Sequence, residues 1–161
     1  MTVRQAGSTI VACLMDRVCM DDTPWLLLAA AGTALAVLLH IGCIIFGARW
    51  YAFFGAGERM VRLSRAGHPF PTAITTAITA VLALWTAYAL SAAGWLPVLP
   101  GRQEVLVLII AVLGVRGLAG LLIGRVRPGC NGARFWYTSS AACLTLAGLH
   151  LAGSVQVWTR L

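Results

Sequence analysis

The sequence predicts an all-α polytopic membrane protein, folded as a four-helix up-down-up-down transmembrane bundle. Three observations carry that expectation: the composition, four long uncharged runs, and aromatic residues at the ends of those runs. Of the 161 residues, 60% are hydrophobic and only 11% are charged. A soluble domain carries about twice that charge, so too few polar side chains remain to cover a soluble globule of this size. The apolar residues also cluster into stretches of bilayer length.

Residues 1–23 form an N-terminal tail with two readings. Ile10, Val11, Leu14, Met15 and Val18 make one face of a short interfacial helix. Alternatively, translation begins at Met15 or Met20. The tail lacks a separate hydrophobic segment with a cleavage site, and a full-length span follows it, so it does not read as a signal peptide.

Residues 24–161 are expected to form a single transmembrane domain with spans at about 25–47, 71–95, 105–124 and 135–158. The first span runs uncharged from Trp25 to Gly47, with Pro24 suited to its first turn. The second starts at Pro71 and is stopped by Pro97 and Pro100, while the third is interrupted only by Arg116. Four spans place Trp25, Trp95 and Trp158 at one face, and Trp50, Tyr51, Trp136 and Tyr137 at the other. Such rings favour the headgroup zone.

Lipid tails are as apolar as leucine, so helix association needs small residues that let backbones approach. The first span offers Gly32, Ala36, His40, Cys43 and Gly47. The second offers Thr72, Thr76, Thr79, Ala83 and Thr86. The third has Gly117, Gly120 and Gly124, which suit either packing within the bundle or a dimer seam. The fourth has Ser139, Cys143, Ala147, His150 and Ser154.

All twelve basic residues are arginine. With heavy Ala, Gly and Leu usage, this points to a GC-rich bacterial genome. The net charge of +7 follows from arginines at one membrane face and does not indicate nucleic acid as a partner. Arg49, Arg59, Arg62 and Arg65 lie between spans one and two, and Arg125, Arg127 and Arg134 between spans three and four. The positive-inside rule therefore expects loops 48–70 and 125–134 in the cytoplasm of a bacterial inner membrane, with both termini periplasmic.

Few residues invite chemistry. Arg116 lies roughly 12 Å of helix from the nearer end of its span, and a charge at that depth seeks a polar interior partner. Glu58 is the acid on that side, so Arg116, Glu58, His40 and Tyr51 form a candidate intramembrane polar cluster. The competing arrangement pairs Glu58 with Arg62 one turn on. Arg59, Arg62 and Arg65 are candidate contacts for anionic lipid headgroups. Trp85, Tyr88 and His150 reach a similar depth and form a second candidate polar cluster.

No cofactor or metal is expected. The five cysteines contain no C-x-x-C pair. His40 and His150 differ by roughly 10 Å in depth, which opposes a bis-histidine haem. No catalytic residue is assigned either, because no nucleophile–base spacing accompanies Glu58 and His40.

YAFFGAGERM after the first span, LWTAYALSAAG in the second, VRGLAG in the third and FWYTSSAACLTLAGLHLAG in the fourth resemble small four-span bacterial inner-membrane proteins of uncharacterised activity. The resemblance covers the chain from about Trp25 onward and is most specific in FFGAGE. It implies a shared fold and location, and adds no catalytic residue.

Three functional readings compete. The first is a non-enzymatic bundle that binds lipid, a hydrophobic ligand, a membrane partner protein or a second copy of itself. The second is a small transporter or channel subunit for an anionic or hydrophobic solute, although no Asp or Glu lies inside a span to relay protons. The third is a membrane enzyme using Glu58 and His40.

Overall fold

Four apolar helices dominate the computed structural model, which describes residues 24–127 and 129–161. They are α1 (Pro24–Phe46), α4 (Pro69–Ala92), α5 (Arg102–Val126) and α6 (Gly132–Val157). Two short helices, α2 (Ala48–Phe53) and α3 (Glu58–Arg65), lie between the first two, and single 3-10 turns at Gly129–Asn131 and Trp158–Arg160 flank α6. Among the described residues there is no strand. The interfacial helix and alternative start expected in the tail lie outside the described residues.

The long helices contain 23 to 26 residues. At about 1.5 Å per residue each exceeds the ~30 Å of a bilayer core. Leu28, Leu35, Leu38 and Ile45 on α1, with Val107, Val115, Leu118 and Leu122 on α5, are exposed. Such a surface would aggregate in water; in a bilayer it meets lipid tails. The chain is an integral membrane protein with an all-helical four-helix bundle.

Local chemistry sets where these helices begin and end. Pro69 and Pro71 occupy the first turn of α4, where a missing N–H costs little, and the His68 side chain accepts from the Phe70 N–H at 3.1 Å. α4 stops at Ala92, earlier than the sequence suggests. Ser91, fully buried, holds the following loop: its Oγ donates to the Pro97 carbonyl at 2.7 Å and accepts from the Leu99 N–H at 3.1 Å.

α1 packs against α4 and α6, α5 packs chiefly against α6, and α4 touches α5 more lightly. α1 and α5 therefore stand at opposite corners. The apolar core (Leu26, Ala92, Ala93, Leu106, Ile109, Leu113, Ala147 and Val157) fills the end nearest the loop after α4. The other end carries the connections 47–68 and 127–131, and is called here the arginine-rich end.

The glycines of α5 are used inside the bundle. A Cβ on Gly117 would lie 2.6 Å from Leu144 Cγ, and one on Gly124 would lie 2.9 Å from Trp136 Cβ. On the other side of α6, a Cβ on Gly153 would come 2.8 Å from the Leu26 backbone nitrogen. Of the two roles open to the α5 stripe, packing on α6 is the one observed.

The threonine face expected on α4 is corrected. Thr72, Thr76 and Ala83 are exposed, and the buried line is Pro71, Thr75, Leu82 and Ala89. Thr79 and Thr86 donate to carbonyls of their own helix, at 2.7 Å to Thr75 and 2.9 Å to Leu82. A hydroxyl satisfied within its own helix needs no neighbouring helix, so threonine content does not mark the packing face.

Candidate functional site

The arginine-rich end is built by glycine punctuation. Gly47 has φ of +58°, a conformation that a side chain disfavours, and it breaks α1 from α2. The chain reverses over Gly55 to Gly57 and re-enters helix as ERMVRLSR. In α3 the residues Met60, Val61, Leu63 and Ser64 are half-buried, while Glu58, Arg59, Arg62 and Arg65 are exposed. The helix therefore lies with one side on the protein, against α2 and α4, and the other facing out.

Between α2, α3 and the 3-10 turn before α6 lies an open cleft of about 570 Å³. Its floor is Ala52, Gly55, Gly57 and Val61, and its walls carry Glu58, Arg62, Arg65 and Asn131. Glu58, Arg62 and Arg65 are spaced i, i+4 and i+7, which puts them on one helical face. None of the three makes an ion pair with another described residue. At Gly57, where φ is +92°, a Cβ would collide with Asn131 Oδ1. That glycine is what lets the two loops close on each other.

A ladder of rings runs beside the cleft. Phe46 stacks on Trp50 with centroids 4.8 Å apart, Trp50 meets Phe54 at 5.6 Å, and Phe54 meets Phe53 edge-on at 5.1 Å. Phe53 is 83% exposed, a position that suits the headgroup–acyl boundary.

The structure does not bring the first polar cluster together. His40 Nδ1 lies 2.7 Å from the Ala36 carbonyl of its own helix. Arg116 donates from Nη2 to Ser139 Oγ at 3.1 Å, and its guanidinium carbon lies 5.3 Å from the Trp136 ring centroid. Glu58 is exposed at the cleft and forms no pair with Arg116 or Arg62. The reason is topological: His40 and Arg116 sit on α1 and α5, the diagonal helices, so depth alone does not make them neighbours.

Tyr51 is a further correction. Placed by sequence in an aromatic belt, it is only 3% exposed. Its hydroxyl lies 3.1 Å from the Pro71 carbonyl and 2.8 Å from Thr75 Oγ1, and Thr75 also donates to Pro71 at 2.8 Å. Because Gly47 folds α2 back, Tyr51 points at α4 and pins the base of the cleft segment.

Trp85 and Tyr88 pack on the apolar core, and the Tyr88 hydroxyl donates to the Pro100 carbonyl at 3.1 Å. His150 is fully buried, with Nδ1 2.9 Å from the Leu146 carbonyl. These three do not hydrogen-bond one another. Among the described residues no three His, Cys, Asp or Glu side chains converge as a metal would require, and Cys43 and Cys143 are free thiols.

Of the three arginines marked from sequence, Arg62 and Arg65 line the cleft and Arg59 does not. Asn131 was not foreseen. Its signal was the Asn131-Gly132 turn dipeptide, but only the tertiary fold sets that turn opposite α3. No family model, curated protein or solved structure matches this chain.

Proposed function

We propose that this chain is a non-enzymatic binding protein of the bacterial inner membrane whose arginine-rich end faces the cytoplasm and holds an anionic lipid headgroup in the cleft. The observation that carries this reading is the pair Arg62 and Arg65 on one wall of the cleft, neither engaged by a carboxylate of another described residue. Paired guanidinium groups match phosphate oxygens in charge and fork geometry. The cleft volume of about 570 Å³ is that of a small-molecule site. The neighbouring rings supply the apolar boundary that a lipid would cross. Seven arginines at this end, Arg49, Arg59, Arg62, Arg65, Arg125, Arg127 and Arg134, support the orientation. Glu58 opposes excess negative charge and so favours a phosphodiester over a doubly charged group.

Native mass spectrometry tests the reading. Protein released from nanodiscs holding equal phosphatidylglycerol and phosphatidylcholine is expected to retain phosphatidylglycerol preferentially. Changing Arg62→Gln together with Arg65→Gln removes two charge-assisted contacts and is expected to lower that retention by about tenfold or more. Equal retention of both lipids, or a preference unchanged in the double variant, would contradict it.

A further inference from the structure

The cleft has two chemically different ends. Glu58 opens α3, and Arg62 and Arg65 follow on the same wall, about 6 Å and about 10 Å further along the helix. Beside Glu58, the Asn131 side chain presses on Gly57, its Oδ1 occupying the place where a Cβ would stand. One end therefore offers a carboxylate and a carboxamide, and the other offers two guanidinium groups.

An acid in a first turn suits the helix dipole, but that role does not require the face shared with Arg62. Glu58 and Arg62 stand at the spacing where such residues pair, yet they form no ion pair, and neither Glu58 nor Asn131 hydrogen-bonds another described residue. Open acceptors thus lie one helical turn from open donors in a single cleft of about 570 Å³. Two guanidinium charges against one carboxylate leave a single net positive charge on the wall. That balance matches a phosphodiester, and neither a phosphomonoester nor a zwitterion.

We propose that Glu58 is the specificity-determining residue of the cleft, accepting hydrogen bonds from hydroxyl groups of the headgroup. The ligand class is then a singly charged phosphodiester lipid bearing a polyol of the glycerol type. This inference rests on the headgroup reading above and adds what the headgroup must carry. The phosphate lies between Arg62 and Arg65, and the polyol extends one turn toward Glu58, a distance that a glycerol chain reaches. Asn131, which both donates and accepts, serves a second hydroxyl. A headgroup without a donor leaves the Glu58 carboxylate facing the phosphate with nothing between the two negative charges.

The test is native mass spectrometry from phosphatidylcholine nanodiscs holding equal phosphatidylglycerol, phosphatidylmethanol and phosphatidylethanolamine with matched acyl chains. Phosphatidylmethanol keeps the phosphodiester and its charge but has no hydroxyl. Phosphatidylethanolamine has a donor but no net charge. The wild type is expected to retain phosphatidylglycerol over either by about threefold or more. Glu58→Ala is expected to bring phosphatidylglycerol and phosphatidylmethanol to equal retention, with both still above phosphatidylcholine. Arg62→Gln with Arg65→Gln is expected to lower both together. Equal retention of the two anionic lipids by the wild type, both above phosphatidylcholine, would overturn the role of Glu58 and leave the headgroup site standing. Neither lipid above phosphatidylcholine would overturn both. A phosphatidylglycerol preference undiminished in Glu58→Ala, or phosphatidylethanolamine retained as well as phosphatidylglycerol, would also overturn the proposal.

Discussion

Leucine at Gly117 is expected to eliminate the folded bundle, whereas alanine at Gly114 or Gly148 leaves it intact. At Gly117 a Cβ alone would sit 2.6 Å from Leu144 Cγ and 3.3 Å from the Leu144 backbone nitrogen. A rotamer change at Leu144 would move its side chain away but not its backbone nitrogen. Three further carbons would force α5 from α6 along the contact that also seats Gly120 and Gly124. Overpacking of a tight site costs about 1–3 kcal/mol, and a displaced helix pair exceeds that range. Gly114 and Gly148 have nothing within 4 Å of the built Cβ. There, alanine is expected to add about 0.5–1 kcal/mol through helix propensity. Unfolding in mixed detergent micelles measures both. An unchanged midpoint for Gly117→Leu would move the glycine stripe out of the bundle, to a seam between copies.

Truncating Tyr51 is expected to have the next largest effect and to couple the fold to the cleft. The ring is buried between α2 and α4, and its hydroxyl meets both the Pro71 carbonyl and Thr75. Tyr51→Ala leaves a cavity of aromatic size, for which about 3–5 kcal/mol is typical. Tyr51→Phe isolates the hydroxyl and is expected to cost about 0.5–1.5 kcal/mol, since Thr75 and Pro71 keep their bond to each other and lose only a second partner. Both changes loosen α2, and with it the floor of the cleft at Ala52 and Gly55. Phosphatidylglycerol retention is therefore expected to fall in Tyr51→Ala although no arginine has been touched. A variant that unfolds no earlier than wild type would remove Tyr51 as the pin of this segment.

The helical framework was legible because its signals are local. Bilayer-length uncharged runs, Pro24 and the prolines around α4 act within a few residues of where they stand. The polar contacts were harder to read because they depend on which helices are neighbours. His40 and Arg116 share a depth, yet their helices are diagonal. Arg116 found Ser139 and Trp136 because α5 lies on α6. Threonine on α4 looked like a packing face, but a hydroxyl that bonds its own helix carries no such information. Tyr51 belonged to a belt only if α1 continued straight, and Gly47 prevents that. Within the cleft, Arg62 and Arg65 could be read from helical spacing. Asn131 could not, because it comes from the far side of the chain.

The measurement that bears most directly on the cleft is photocrosslinking with a phosphatidylglycerol carrying its reactive group near the headgroup, mapped by peptide mass spectrometry. The expected result is a dominant adduct within residues 52–65 or at Asn131, lost when Arg62 and Arg65 are both changed to glutamine. Adducts spread evenly over lipid-facing leucines such as Leu35, Leu118 and Leu122, and unaffected by those changes, would contradict a headgroup site at the arginine-rich end.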